Sequence, residues 1–350
     1  MDLPLVLAQP REAVLAEMRA VVGDRALPIY AMARYALGWV EADGGPRSDP
    51  AGKGIRPALA VLAGRAIDPS DAAGRRALAG AAAVEFVHNF SLVHDDIQDR
   101  DDERHHRPTV WRVWGEAQAI NVGDSLRELA QSALSRATQA GASADTVLDA
   151  ADTLNRCTME MIEGQYLDLD FESRRTVSAD DYLTMVERKT GALLGCSLAI
   201  GALLAGGDRD VAARLEHAGR CLGLAFQIRD DVLGIWGDSS ATGKSSDNDI
   251  RRRKKSFPIV HALEEPDSPE HAALARVYAA DAAGDGAPVG DEDVRAVTRA
   301  LDALGARAAS ERAAGLHYDG FLAALADCGL RAEGRAALEE AGRFIVRREH

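Results

Sequence analysis

The chain has 350 residues, 47% hydrophobic and 27% charged, which is ample for a buried core beneath a solvated surface and excludes disorder of the whole chain. A formal net charge of −14 argues against a non-specific nucleic-acid binder, because phosphate backbones are held by net basic surfaces. The four cysteines (Cys157, Cys196, Cys221, Cys328) form no CxxC pair and no short Cys/His spacing, so they read as reduced core residues and not as a zinc site.

In chain order, the opening MDLPLVLAQPREAVLAEM has no basic start followed by an apolar run, and no later stretch reaches the ~18 apolar residues of a membrane span. A soluble, cytoplasmic protein is expected. Alanine-rich segments with helical apolar spacing follow at Ala58–Ala66, Ala77–Ile97, Ala117–Ala137, Tyr182–Leu204 and Ala212–Trp236. Loops are expected at Gly44–Pro46, Asp68-Pro69, Gly141–Ser143, Gly206-Gly207, Ser239–Ser246 and Glu264–Asp293. Alternating strand patterns are nearly absent and no fixed-period repeat is present. The pattern predicts an all-α protein, a large helical bundle forming a single domain over residues 1–350.

Two acidic constellations interrupt this pattern. The first places six acids within nine residues, from Asp95 to Glu103, after an apolar run over Ala79–Val93 that should be core. On a helix Asp95 and Asp99 share a face, with His88 two turns earlier on the same stripe. Like charges at that spacing repel, and a hard cation such as Mg2+ relieves the repulsion while bridging to substrate phosphates. A solvated acidic helix end is the plainer alternative, and the preceding core run argues against it. The second constellation, Asp230-Asp231, lies inside an apolar helix, where an unpartnered charge pair costs several kcal/mol and should face a metal or ligand. A basic run, Arg251 to Lys255, follows in an otherwise acidic chain, and for Arg251 to Arg253 a solvated charge run is as good a reading as function.

In joint order and spacing these phrases resemble the trans-polyprenyl diphosphate synthases over nearly the whole chain. Asp95-Asp96-Ile97-Gln98-Asp99 resembles the family's DDxxD motif, Phe226 to Asp231 its second aspartate motif, and Gly52 to Pro57 its GKxxRP phrase. Gln165 with Asp168, and Lys189-Thr190-Gly191, look like its middle motifs. The resemblance implies an isoprenoid-synthase bundle with a central active-site cavity, working as a homodimer on allylic prenyl diphosphates and isopentenyl diphosphate. It further implies that Asp95, Asp99 and Asp230 ligate three Mg2+ ions, with Asp96 and Asp231 supporting them. Arg104, Lys189 and Lys254 would hold the allylic diphosphate beside Thr190 and Gln227, while Lys53, Arg56 and His88 would hold isopentenyl diphosphate. Taken singly, Lys53 and Arg56 would more often be surface charges, and His88 a satisfied helix histidine.

The implied chemistry is ionisation of the allylic C–O bond, attack by the isopentenyl double bond, and proton loss to the released diphosphate, with no protein nucleophile. Two departures bear on this. His105 stands where the family carries a second arginine, leaving a pH-dependent isopentenyl pocket or a substitute role for Arg107. Gly234 replaces the last acid of the second motif, with Asp238 one turn further on. Both departures also suit a terpene cyclase descended from a prenyltransferase, and a catalytically silent regulatory subunit is a third reading. Retention of Lys53, Arg56 and His88 favours condensation, and the complete metal ligands oppose the silent subunit. Phe90 and Ser91, five and four residues before Asp95, match positions that limit elongation in the family. The first motif also lacks a two-residue insertion, which points to a twenty-carbon product over a fifteen-carbon one.

Overall fold

The computed structural model describes residues 3–47, 52–237, 248–264, 268–278 and 289–347. In order, the helices are α1 (Leu5–Val22), α2 (Pro28–Ala36), α3 (Ile55–Ile67), α4 (Asp71–Gln98), α5 (Val110–Trp114), α6 (Glu116–Ser135), α7 (Ala144–Ser173), α8 (Ala179–Val186), α9 (Ala192–Ala205) and α10 (Arg209–Trp236). Beyond them lie helices at Asn248–Arg251, Phe257–Leu263, Pro269–Tyr278, Asp291–Ala303, Ala306–Ala326 and Ala332–Val346. The expected loop at Ser239–Ser246 and the acid Asp238 lie outside the described residues.

The centre is α9. Its sequence ALLGCSLAIGALLA is apolar on every side, so no face prefers water, and every one of its residues is buried. Helices α3, α4, α7 and α10 pack around it. By length and composition Ala179–Ala205 could cross a membrane, contrary to the expectation that no stretch is long enough; 89% of its most apolar window is buried inside the fold. The long helices start at side-chain caps that satisfy otherwise orphaned N–H groups: Ser70 for α4, Ser143 for α7 and Asp208 for α10, while Ser178 and Asp181 form a reciprocal capping box on α8.

Three local expectations change. The segment Tyr182–Leu204 is not one regular helix, because a π-helical turn at Glu187–Gly191 separates α8 from α9. Glu264–Asp293 is not a continuous loop, since Pro269–Tyr278 is helical and Asp291 opens another helix. The acidic tail of the first motif leaves α4 into a two-residue hairpin, Glu103-Arg104 paired with Arg107-Pro108. His105 and His106 form its tip at φ 52° and 59°, the left-handed region that a tight hairpin turn requires.

Candidate active site

The C-terminal ends of α4, α7 and α10 bring the acidic motifs to one cleft. Asp168 near the end of α7 is the common neighbour, acting electrostatically on Asp95, Asp99 and Lys254. The negative ends of the helix dipoles add to the carboxylate field there. Burial pushes the Asp95 carboxyl up to about 6, with Lys189 opposing the shift and Asp99 and Asp168 reinforcing it. Asp99, which ends α4, is also raised, again mainly by burial. Glu172, one turn beyond Asp168, is raised by burial and by Asp99 and Asp168, and sequence analysis overlooked it.

Each adjacent pair divides its labour. Asp96 is buried and accepts the Arg104 Nε–H at 2.7 Å, so it backs the motif while Asp95 faces the cavity. In the second pair Asp230 is exposed and Asp231 is 1% exposed. One Asp231 oxygen accepts from the Tyr182 hydroxyl at 2.5 Å and the Phe257 N–H at 2.9 Å. The other accepts from the Gln227 amide at 3.1 Å and lies 3.6 Å from Lys254 Nζ, while Gln227 in turn accepts from Thr190 at 3.2 Å. Asp231 is therefore a buried hub, in keeping with a supporting role. Tyr182 escaped the sequence reading because its partner lies 49 residues away.

At Gly234 a Cβ would sit 2.5 Å from an Asp249 carboxylate oxygen. The missing side chain of the second motif thus leaves room for a carboxylate from a later segment. Gly164 on α7 has a similar role, since a Cβ there would lie 2.2 Å from the Lys189 backbone nitrogen. This close approach seats the π-helical turn against α7, and Lys189 on that turn reaches across to bond Asp168. Burial opposes the Lys254 charge, but Asp231, Asp249, Asp168 and Asp230 outweigh it and raise its pKa. Its neighbour Lys255 is structural, donating to the Phe171 and Arg174 carbonyls at the end of α7.

Two cavities meet here. One, of about 400 Å3, has Arg56, Asp95, Gln98, Gln165, Lys189 and Thr190 in its lining and runs along Phe90, Ser91, Met161 and Leu193, so Arg56, expected at isopentenyl diphosphate, lies on this side of the shared wall. The other, of about 80 Å3, is lined by Gly52, Glu85, Asn89, Asp96, Arg104 and His105 among others. His88 and Leu92 line both. Arg56 Nη1 lies 3.3 Å from His88 Nε2, and since arginine only donates, His88 accepts there and carries its proton on Nδ1. Burial first, then Arg56, Arg104 and His105, hold His88 far below the usual histidine range, so it is neutral. Lys53 is exposed beside Gly52 at the rim. Arg104, expected at the allylic diphosphate, lines the small pocket, though its charge still reaches Asp95. Arg107 and His105 both line the small pocket, and Arg107 is also engaged there, 3.9 Å over the Tyr35 ring and bonded to Val40 O at 2.8 Å. Glu85 sits within the apolar run Ala79–Val93; burial pushes it up to about 7 against the pull of Arg56.

Among the described residues no three acidic, histidine or cysteine side chains form a ready-made metal cage. This donor set fits Mg2+, which is held by one or two carboxylates and completes its shell with water and substrate phosphates. Asp95 and Asp96 both stand at about 6, above the ordinary 3.8. At these two carboxyls the folded protein binds protons more tightly than the unfolded chain, so without cations their contribution to stability should rise as pH falls from about 7 toward 5, against the opposing effect of neutral His88. Mg2+ with diphosphate should raise Tm more at about pH 8 than at about pH 5.5, and equal shifts at the two pH values would contradict this. Tyr182→Phe, which strips a donor from a buried carboxylate, should cost about 1–3 kcal/mol in urea unfolding; an unchanged midpoint would remove Tyr182 from the hub.

Residues 47–288 match the polyprenyl synthetase family. The chain is 39% identical over 315 residues to a (2E,6E)-farnesyl diphosphate synthase of Mycobacterium tuberculosis, covering 90% of this chain and 85% of that one. It is 40% identical over 326 residues to a geranylgeranyl diphosphate synthase of the same organism, covering 92% and 87%. Its fold is similar to the crystal structure of a polyprenyl synthetase from Streptomyces coelicolor, with a TM-score of 0.89 at 38% identity over 99% of this chain and 100% of that one. Motifs, fold and relatives agree, and the chain belongs to the polyprenyl synthetase family of prenyltransferases.

Proposed function

We propose that this short-chain prenyltransferase is Mg2+-dependent, joins an allylic diphosphate to isopentenyl diphosphate, and makes the twenty-carbon geranylgeranyl diphosphate. The observation that carries the reading is the wall shared by His88 and Leu92, which sets an apolar cavity ending at Asp95 against a small cationic pocket. A cation formed in the first then lies beside a double bond held in the second, so proximity is built in.

In this reading Asp95, Asp99 and Asp230 hold Mg2+, with Asp96 and Asp231 fixing their neighbours. When bound, the metal stabilises charge developing on the departing diphosphate. Lys189 and Lys254 place further positive charge on the same group, beside Thr190 and Gln227. Lys53 at the rim and Arg56, which lines the larger cavity against His88, offer cations to isopentenyl diphosphate, while His105 and neutral His88 offer ring nitrogens. Breaking the allylic C–O bond, forming the new C–C bond and passing the lost proton to the diphosphate completes the reaction. The four free cysteines suit the reducing cytoplasm, where we place the enzyme as one catalytic unit per chain.

Alanine at Asp95, Asp99 or Asp230 should abolish formation of elongated diphosphate from labelled isopentenyl diphosphate while leaving helical circular dichroism intact. Wild-type-like rates in any two variants at saturating Mg2+ would defeat the assignment. The same assay on the unsubstituted enzyme separates condensation from a hydrocarbon product, or none, as a cyclase or a silent subunit would give.

Product length should follow the cavity wall. Phe90 packs edge-on against His94 at 5.1 Å, and Ser91 turns its hydroxyl back to His88 O at 2.9 Å, leaving space beside it. Phe90→Ala should shift product beyond twenty carbons and Ser91→Phe toward fifteen, as chromatography of dephosphorylated products reads; unchanged length in both would sink the claim.

We also infer a homodimer. Met159, Ile162 and Tyr166 make a stripe along α7 that is 58%, 43% and 67% exposed, and the last two also line the larger cavity. A second copy over this stripe would close the cavity wall against water. Light scattering at micromolar concentration should give the dimer mass, and a monomer would contradict it.

A further inference from the structure

The adjacent arginines 251 to 253 do different jobs. Arg251 bonds Val289 O at 3.2 Å and Asp291 at 2.6 Å, and Arg253 donates to Val277 O at 3.0 Å from a left-handed backbone at φ 51°. Both tie the basic turn to the C-terminal helices. Arg252 reaches the other way, 151 residues back along the chain: Nη1 lies 3.2 Å from Asp101 Oδ1, and Nη2 donates to Asp99 O at 3.1 Å. Asp99 is the C-cap of α4, where the helix dipole favours a cation. Asp101 is itself held, since its carbonyl accepts from Thr109 Oγ1 and Trp111 Nε1, each at 2.9 Å. Two residues after Arg252, Lys254 extends toward Asp231.

We propose that Arg252 is a positioning residue, a latch that ties the basic turn across the mouth of the cleft to the end of α4 and thereby holds Lys254 over the allylic diphosphate. The inference rests on the diphosphate assignment proposed above. No contact of Arg252 with the reacting atoms is required. The pair is half exposed, 47% for Arg252 and 30% for Asp101, so its effect is that of a partly screened ion pair.

The test is steady-state kinetics of Arg252→Ala together with its binding, in Mg2+, of an allylic thiodiphosphate that cannot ionise. The allylic KM and the thiodiphosphate Kd should both rise about fivefold, with the isopentenyl diphosphate KM within about twofold of the unsubstituted enzyme. Asp101→Ala should reproduce the change, the double variant should add little to it, and Arg252→Lys should recover most of the affinity. An allylic KM and Kd within about twofold of normal in an active Arg252→Ala enzyme would overturn the latch, as would equal weakening of both substrates. Unsubstituted protein that fails to bind the thiodiphosphate would overturn the diphosphate reading, and the latch with it.

Discussion

The constraint on which the rest depends is the crowding of carboxylates at the end of α4. Asp95 and Asp99 stand one turn apart, partly desolvated, with Asp168 across the cleft and three helix C-termini converging on them. Such a site is unfavourable unless positive charge comes to it. The chain supplies some from every side: Lys189 from the π-helical turn, Arg104 from the hairpin and Arg252 from the basic turn. Burial is the main reason the carboxyl pKa values are raised, and carboxylates desolvated in this way carry the proposal that the cleft takes Mg2+ and diphosphate.

A second constraint acts through Asp231. Its two oxygens gather Tyr182 of α8, Gln227 of its own helix and the first N–H of the helix Phe257–Leu263, so three elements are fixed relative to one buried charge. Through Gln227 the network reaches Thr190 beside Lys189. The geometry of the side proposed for the allylic diphosphate is thus set by a group that is itself buried. This is the economy of a hydrogen-bonded buried charge: costly alone, it becomes an ordering element once both oxygens are engaged.

The pocket beside it follows different chemistry. A neutral His88, a protonatable Glu85 and His105 from the hairpin tip stand beside Arg104 and Arg107 in its lining. The hairpin explains the arrangement, for its strands and left-handed tip bring Arg104, His105 and Arg107 to the pocket together, with Arg107 held there by Tyr35 and Val40.

Taken alone, the sequence determined the helical class, the two aspartate motifs, the cationic residue types near them and the family they spell. These are legible because they depend on local periodicity and on residue type at short spacing. Tertiary structure alone decided which aspartate of each pair is buried, that Asp249 occupies the space above Gly234, that Tyr182 holds Asp231, and that Arg252 differs from its two neighbours. The π-helical turn at Lys189 belongs with these, since a segment of unbroken apolar periodicity reads as one helix until Gly164 of α7 is seen against it. The physical reason is separation along the chain: partners 49 and 151 residues apart are joined by packing, and burial and charge at any one residue are set by whatever packing places beside it.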